Sequence, residues 1–378
     1  MENKVGIITF HNSYNCGSML ETYAIQTYLN KIGLKTEIVD FSTQGQIDLY
    51  KTFSKPNSLK NILKNIIIFP HKKRIDFNNE KYREFQKNNF VLSKKVETKQ
   101  EMQDLRYGAV VAGSDQVWNI TIEDYDDAYF LDWYNSGKKI AYAPSFGSKN
   151  PKDYSNNVNK YKEFLNSFDA LSIRENNGQK WIKDMIGIEV PVLLDPTLLL
   201  EQKDYEKIEC KEYIPDYKYI FLYCPGFKTD ICKFVSEVSK KYNLPVIAWS
   251  AKSFYVKNIG RLGFKLPNYE NPSMYLSLIK NAELVFTTSF HGTIFSTIYR
   301  KKFFTLKNGE MNGNDDRVLT LVRSLFIEDR LIDYKFDDSF DYLKEVDYSQ
   351  YDKALVGLKN KSQKYLKDYL GDLNEKCK

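Results

Sequence analysis

The stretch Leu284–Tyr299 reads LVFTTSFHGTIFSTIY and contains an apolar strand, a short polar turn and the start of a helix. We predict the strand over Leu284–Thr288 and the helix over Thr293–Tyr299. His291, one of three histidines in the chain, lies in the turn, where the first amides of a helix lack partners. Those amides and the helix dipole favour an anion. The stretch therefore predicts either chemistry on an anionic substrate or a simple turn with a hydrogen-bonded histidine.

The same alternation of apolar strands and amphipathic helices extends along the rest of the chain. We predict strands at Val5–Phe10, Thr36–Phe41, Ala109–Ala112, Ile140–Ala143, Ala170–Ile173, Val190–Leu194, Tyr219–Tyr223, Val246–Trp249 and Phe303–Leu306. Alternation of this kind is typical of parallel α/β sheets, and 378 residues are enough for two cores. The sequence thus predicts two Rossmann-like parallel-sheet domains that face each other across a cleft, where such sheets bind ligands.

Composition and polar segments give the predicted domain boundaries. Residues 1–201 form an N-terminal α/β domain with a basic insertion at 51–100, and residues 202–216 form a linker. Residues 217–335 form a C-terminal α/β domain, and the helical tail 336–378 packs back on the first domain. We expect the first domain to hold the acceptor and the second to hold the anionic donor.

The net charge of +6 is concentrated between Lys51 and Gln100, which contain 13 Lys or Arg but only 4 Asp or Glu. Apolar residues recur there at helical spacing among lysines, at Leu59, Ile62, Leu63, Ile66 and Ile67. One interpretation is a basic amphipathic segment that lies on the membrane surface. The favoured interpretation is a helix packed on its own domain with a solvated lysine face. A nucleic-acid partner is not expected, because no binding motif accompanies the charge.

Several classes of protein are excluded by simple patterns. No apolar run approaches the ~18 residues of a membrane span, and the N-terminal segment reads as a strand rather than a signal peptide. We expect a cytoplasmic protein, with contact at the inner face of the membrane as the alternative above. No Gly-x-Gly-x-x-Gly fingerprint or metal-ligand spacing occurs, so no cofactor and no metal are predicted. The cysteines are expected to be reduced; they are Cys16, Cys210, Cys224, Cys232 and Cys377.

Polar residues follow the first strand and the third. Asn15 and Gly17 precede a predicted helix, where Asn15 caps it and Gly17 permits close backbone approach; capping alone could also explain them. The residues after the third strand offer a carboxylate, hydroxyl and amide groups and an aromatic face, as sugar binding requires; they are Ser114, Asp115, Gln116, Trp118 and Asn119. The alternative is an Asx turn with Trp118 buried. Ser145, after the next strand, lies among small residues that expose backbone amides.

Two arginines could bind an anion. Arg174 follows a predicted strand, and its guanidinium can hold a carboxylate or phosphate through two parallel hydrogen bonds. Arg317 opens a predicted helix. The alternative is that Arg174 forms an internal ion pair with Glu175, and Arg317 one with Asp316. Asp195 is interpreted as a structural cap.

The ordered motifs resemble the polysaccharide pyruvyl transferase family. They run from Lys4 to Leu331 and read Asn-x-Gly-Ser followed by Leu-Glu-Thr-Tyr-Ala-Ile-Gln, then Gly-Ser-Asp-Gln-Val-Trp-Asn, Ser-Ile-Arg-Glu, Asp-Pro-Thr, Thr-Ser-Phe-His-Gly-Thr and Asp-Asp-Arg. The resemblance implies a GT-B-like fold and an enzyme that moves the pyruvyl group of phosphoenolpyruvate onto two sugar hydroxyls, making a cyclic ketal and releasing phosphate. It further implies a role in capsular, exopolysaccharide or cell-wall glycan synthesis, often on lipid-linked acceptors.

The resemblance also implies roles for individual residues. Arg174 and the turn Ser289, Phe290, His291 and Gly292 are expected at the donor. His291 acts as proton donor or phosphate clamp, and Asp115 orients or deprotonates a hydroxyl. Ser289 stands where some members carry an arginine, so Arg317 is the candidate substitute. The rival predictions are a nucleotide-sugar glycosyltransferase of the same architecture and a non-catalytic glycan-binding or scaffold protein.

Overall fold

The computed structural model describes residues 3–307 and 316–375. Asn314, Asp315 and Cys377 lie outside the described residues. The four cysteines within the described ranges, Cys16, Cys210, Cys224 and Cys232, are unpaired. None of the helices in these ranges has both the length and the apolar character needed to cross a membrane.

Two parallel sheets form the centre of the molecule. Their strands are β1 (Lys4–Ile8), β2 (Lys35–Ile38), β3 (Ala109–Ala112), β4 (Lys138–Ala141), β5 (Ile220–Tyr223), β6 (Val246–Ala248), β7 (Leu284–Thr287), β8 (Phe303–Leu306) and β9 (Leu331–Ile332). The first sheet has the order β2-β1-β3-β4 and the second the order β6-β5-β7-β8-β9. Every adjacent pair is parallel. Central strands such as β3 and β7 are buried at every residue, as expected of strands covered on both faces.

Helices connect the strands. They are α1 (Cys16–Lys31), α2 (Gln44–Tyr50), α3 (Leu59–Ile68), α4 (Lys72–Asn89), α5 (Lys99–Gln103), α6 (Pro151–Tyr154), α7 (Val158–Asn166), α8 (Asn176–Ile186), α9 (Gln202–Tyr205), α10 (Thr229–Tyr242), α11 (Ala251–Val256), α12 (Pro272–Asn281), α13 (Phe290–Ile298), α14 (Arg317–Ser324) and α15 (Ser349–Glu375). The prediction of two parallel α/β sheets is confirmed.

Two predicted strands are wrong. Ala170–Ile173 and Val190–Leu194 make only isolated bridges, in which Ala170 pairs with Ile140, and Ile173 with Val192. The hydroxyl of Ser172 replaces part of the expected ladder, because its Oγ accepts from the Ala143 amide at 2.9 Å and donates to the Ala141 carbonyl at 2.7 Å. A side chain therefore satisfies backbone groups that a further strand would otherwise pair.

The C-terminal helix α15 contacts both halves of the chain. On the N-terminal side, the Ser362 hydroxyl accepts from the Leu194 amide, and the Tyr365 hydroxyl donates to the Ala141 carbonyl. On the C-terminal side, the Tyr351 hydroxyl lies 2.9 Å from the Thr297 hydroxyl. The tail thus joins the two sheets.

The basic insertion contains α3 and α4 and contacts the second half of the chain. In α4, Asn78 donates to the buried Glu270 carboxylate at 3.1 Å, and the preceding His71 ring stacks on Tyr255 with ring centres 3.5 Å apart. The favoured interpretation of this segment is wrong for α3. Its apolar residues Leu59 and Leu63 are exposed rather than packed on the protein.

Candidate active site

The start of α13 fixes His291 at the end of β7. Ser289 caps the helix, and its Oγ accepts from the Gly292 amide at 3.4 Å. A Cβ at Gly292 would lie 2.2 Å from the Thr287 Oγ1, so this close approach of helix to strand requires glycine. The polar turn is therefore tightly built, and it holds the imidazole in the second position of the helix.

His291 and Arg174 converge on one buried carboxylate, that of Asp195. The His291 Nε2 lies 3.3 Å from the Asp195 Oδ2, and the Arg174 Nη1 lies 2.8 Å from the same oxygen. The other oxygen accepts from the Thr197 amide and hydroxyl. Burial alone would raise the pKa of Asp195, but His291 and Arg174 outweigh burial and hold that pKa below its ordinary value. Asp195 therefore stays ionised between two groups able to carry positive charge.

A second carboxylate and an aromatic ring complete the surroundings of Arg174. Its Nη2 lies 3.6 Å from the Asp115 Oδ1, and its guanidinium lies 4.4 Å from the centre of the Phe290 ring. The other oxygen of Asp115 accepts from the Ser18 hydroxyl at 2.5 Å. Among the described residues, the buried Arg174 Nε has no hydrogen-bond partner. The guanidinium is thus stacked on Phe290 and contacted by two carboxylates at its Nη atoms, while its Nε donor is unused.

The first helix contacts His291 from the opposite domain. Asn15 caps α1 by accepting from the Gly17 amide at 2.9 Å. A Cβ at Gly17 would lie 2.3 Å from the His291 Nδ1. The imidazole therefore rests against the backbone of α1, and glycine is required at position 17 for that contact.

Glu21 holds the loop that carries Ser114 and Asp115. Its Oε1 accepts from the Ser114 amide at 2.7 Å, and its Oε2 accepts from the Thr9 hydroxyl at 2.9 Å. Burial, with the charges of Asp195 and Asp115, raises the pKa of Glu21 well above its ordinary value. In the same loop Asp115 has a φ of 63°, a conformation that costs energy outside glycine and clusters at functional sites. Glu21 belongs to the Leu-Glu-Thr-Tyr-Ala-Ile-Gln motif, but the sequence alone assigns it no role, because both of its hydrogen-bond partners are distant in the chain.

Four of the predicted acceptor contacts are not supported. Trp118 is fully buried; its ring stacks on Phe130 with centres 4.8 Å apart, and its indole donates to the Tyr129 carbonyl. Ser114 and Ser145 are also fully buried, and Asn119 uses its amide internally. For Trp118 the alternative of a buried ring therefore holds. For Ser114, Ser145 and Asn119 the acceptor role stays a prediction, because internal packing and hydrogen bonds already occupy their side chains. Gln116 stays partly exposed but bonds to the Asn119 amide.

Arg317 is the first residue of α14, and its charge acts on Glu175. The buried Glu175 accepts from the Phe146 amide at 2.9 Å. Burial raises the pKa of Glu175 to about 7, although Arg174 and Arg317 both lower it. The predicted role of Arg317 at the donor stays a prediction.

One cavity is lined in part by this cluster, and a second lies at the start of α1. The first, which we call the arginine cavity, measures about 350 Å³ and is lined by Arg174, Asp195, Phe290, Arg323 and Lys361 among others. The second, the aromatic cavity, measures about 400 Å³ and is lined by Tyr14, Tyr50, Tyr82, Tyr223 and Trp249, together with Asn15, Cys16 and several lysines. One of these lysines is Lys252, whose pKa is lowered to about 8 by burial and by the neighbouring Lys64. One cavity thus suits a small anion and the other a ring.

The chain forms two parallel α/β sheets, and ionisable side chains from both halves meet between them. This arrangement defines a GT-B-like enzyme. The sequence model of the family described as polysaccharide pyruvyl transferase matches residues 15–310, and the chain belongs to that family. The family assignment makes the protein an enzyme of pyruvyl transfer. No curated protein matches the sequence significantly.

Solved structures support the fold. The S. aureus MnaA–UDP co-structure has a TM-score of 0.53 at 13% identity, covering 98% of this chain and 97% of that one. A structure described as a putative UDP-N-acetylglucosamine 2-epimerase from Listeria monocytogenes has a TM-score of 0.50 at 9% identity, covering 98% of each chain. At these identities the similarity concerns architecture alone, and it confirms the predicted GT-B-like arrangement.

Replacing Gly17 by alanine is expected to slow pyruvyl transfer about 10- to 100-fold, because the new methyl group would displace the His291 ring. Steady-state rates and thermal unfolding would measure the effect. Gly357→Ala in α15 is the matched control, since no described atom lies within 4 Å of its added Cβ. That control should keep the full rate and gain up to about 1 kcal/mol of stability. Equal rates for the two variants would contradict the contact.

Proposed function

We propose that the protein transfers the pyruvyl group of phosphoenolpyruvate to two hydroxyls of one sugar, forming a cyclic ketal and releasing inorganic phosphate. The observation that carries this proposal is the convergence of His291 and Arg174 on the Asp195 carboxylate, within the matched region. Arginine recognises the carboxylate or phosphate of such a donor, and an imidazole can move a proton at neutral pH.

The proposed reaction has two additions at one carbon. A proton is added to the methylene carbon of phosphoenolpyruvate, and the neighbouring carbon becomes electrophilic. A sugar hydroxyl attacks that carbon and loses its proton. The carbon–oxygen bond to phosphate then breaks, and the second hydroxyl closes the ring with loss of its own proton. His291 is proposed either to supply the first proton or to stabilise the departing phosphate, with Asp195 orienting its ring.

The two cavities suit the two substrates. Three cationic side chains, Arg174, Arg323 and Lys361, line the arginine cavity and favour a small, multiply charged donor. The aromatic cavity offers Tyr50 and Trp249 as apolar surfaces for a sugar ring. Asp115 is proposed to orient Arg174 rather than to act as a base, because its oxygens already contact Ser18, the Gln116 amide and Arg174. We place the acceptor in polysaccharide biosynthesis, as a glycan or a lipid-linked sugar.

The test is to incubate the protein with phosphoenolpyruvate and a panel of water-soluble glycosides. We expect phosphate release that depends on the glycoside, and a product heavier by one pyruvate less one water in mass spectrometry. Phosphoenolpyruvate should also raise the unfolding temperature, because a ligand that binds the folded state stabilises it. Stabilisation by nucleotide sugars alone, with no product from phosphoenolpyruvate, would instead indicate a glycosyltransferase.

A further inference from the structure

Helix α3 turns its apolar residues toward solvent. Leu59 is 80% exposed, Leu63 61% and Ile66 63%. Ile62, Ile67 and the following Phe69 are exposed beside them. At the spacing of an α-helix these residues form one continuous stripe, which is the stripe that a globular protein ordinarily buries.

The opposite face of α3 is the one that packs on the protein, and it is mostly polar. Asn65 exchanges two hydrogen bonds with the backbone of Ser54, at 2.9 and 2.8 Å. Ile68 is fully buried in a small cluster with Ile75 and Ala251. Because these contacts fix the rotation of the helix, its apolar stripe has no place in the described core.

Lysines border the exposed stripe. Lys60, within α3, and Lys73, at the start of α4, have no carboxylate partner among the described residues, whereas Lys72 pairs with Asp76. A stripe of leucine and isoleucine flanked by unpaired lysines is the pattern of a helix that lies in the interface of an anionic membrane. With ten residues α3 is too short to span a bilayer.

We propose that the exposed face of α3, formed by Leu59, Ile62, Leu63, Ile66, Ile67 and Phe69, docks on the surface of an anionic phospholipid bilayer. The lysines would contact the headgroups while the aliphatic side chains enter the acyl boundary. Charge complementarity favours a bilayer over a second copy of the chain, whose α3 would bring the same positive charges together.

Docking at this face would also orient the acceptor site. Lys64 belongs to α3 and lines the aromatic cavity together with Lys51 and Lys252. A sugar anchored in the same bilayer through an anionic linkage would thus meet a cationic wall on its way to the cavity. This second step rests on the proposed function, whereas the docking itself does not.

The test is co-sedimentation of the full chain with vesicles of phosphatidylcholine alone and of phosphatidylcholine mixed with phosphatidylglycerol. We expect binding to the anionic vesicles, weakened at least tenfold by high salt or by the double substitution Leu63→Gln and Ile66→Gln. The matched control is Ile188→Gln with Val356→Gln, which alters residues 50% and 60% exposed elsewhere and should bind as the unaltered protein does.

The results of this test distinguish docking on a bilayer from dimerisation through α3 and from failure of the proposed reaction. Equal binding to both kinds of vesicle, no binding at all, or equal losses in the two double variants would overturn the proposal. A dimer in light scattering that the α3 substitutions dissociate would assign the face to a second copy instead. Transfer to a soluble glycoside should be unchanged by the α3 substitutions, so failure of the proposed reaction is read independently of vesicle binding.

Discussion

Replacing His291 by alanine is expected to reduce the rate of pyruvyl transfer by about 10²–10⁴-fold, whether the imidazole donates a proton or stabilises the leaving phosphate. The fold should survive, because Asp195 keeps Arg174 at 2.8 Å and the Thr197 amide as partners. The effect should therefore fall on kcat, with the unfolding temperature lowered by only a few degrees. Single-turnover rates and thermal unfolding of the same preparation would measure both.

Two further variants test whether the loss of rate is specific to His291 and which role its imidazole has. His71→Ala makes the same change at a histidine that stacks on Tyr255 outside the cluster, and it should keep nearly the full rate. His291→Gln keeps a hydrogen-bond donor but cannot release a proton near neutral pH. A partly active glutamine variant would favour the phosphate clamp, and an inactive one would favour the proton donor. Near-normal transfer by His291→Ala would remove this residue from the mechanism.

The sheets could be predicted because their signals are local. Runs such as Ala109–Ala112 and Phe303–Leu306 were predicted with the bounds that the structure gives, since buried parallel strands are short, apolar and followed by polar turns. Ala170–Ile173 has the same local pattern, but the structure forms only isolated bridges there instead of the predicted strand. Its pairing is replaced by hydrogen bonds of the Ser172 side chain to another segment, and composition cannot reveal such a long-range contact.

The site could be predicted only in part. Arg174 and His291 follow recognisable patterns, but Asp195, which joins them, was interpreted as a cap. Asp195 is indeed a cap, since its Oδ1 accepts from the Thr197 amide, and its Oδ2 also contacts both Arg174 and His291. The prediction that Trp118 offers an aromatic face to a sugar meets the same limit. A tryptophan in a polar loop looks accessible in the sequence, but its neighbours in space bury the ring. Residue type indicates what a group can do, whereas the contact depends on the tertiary structure.

Helix α3 shows the same limit for surfaces. Its sequence defines an apolar and a polar face, but periodicity does not say which face the protein covers. The bidentate contact of Asn65 with Ser54 decides that question, and its two partners lie eleven residues apart. Together with the burial of Ile68, these hydrogen bonds turn the apolar face of α3 outward, opposite to the expectation from the sequence.

Replacing Arg174 by alanine is expected to have the largest combined effect on stability and donor binding. The substitution leaves Asp195 and Asp115 as neighbouring buried carboxylates without their shared cation. Removing one partner of a buried ion pair costs about 3–5 kcal/mol of unfolding free energy. If Arg174 also binds phosphoenolpyruvate, the Michaelis constant for the donor should rise at least tenfold. Denaturant unfolding and donor titrations would measure the two effects separately.

A double variant distinguishes a structural arginine from one that binds the donor. Arg174→Ala combined with Asp195→Asn removes the excess negative charge, while the asparagine oxygen can still accept from the Thr197 amide. Part of the lost stability should therefore return, because the remaining carboxylate, Asp115, keeps its hydrogen bond from Ser18. Donor affinity should stay low, because no cation has been restored. If the stable double variant instead binds phosphoenolpyruvate as tightly as the unaltered enzyme, Arg174 serves the fold alone, and the donor must be held by other cations such as Arg317 or Arg323.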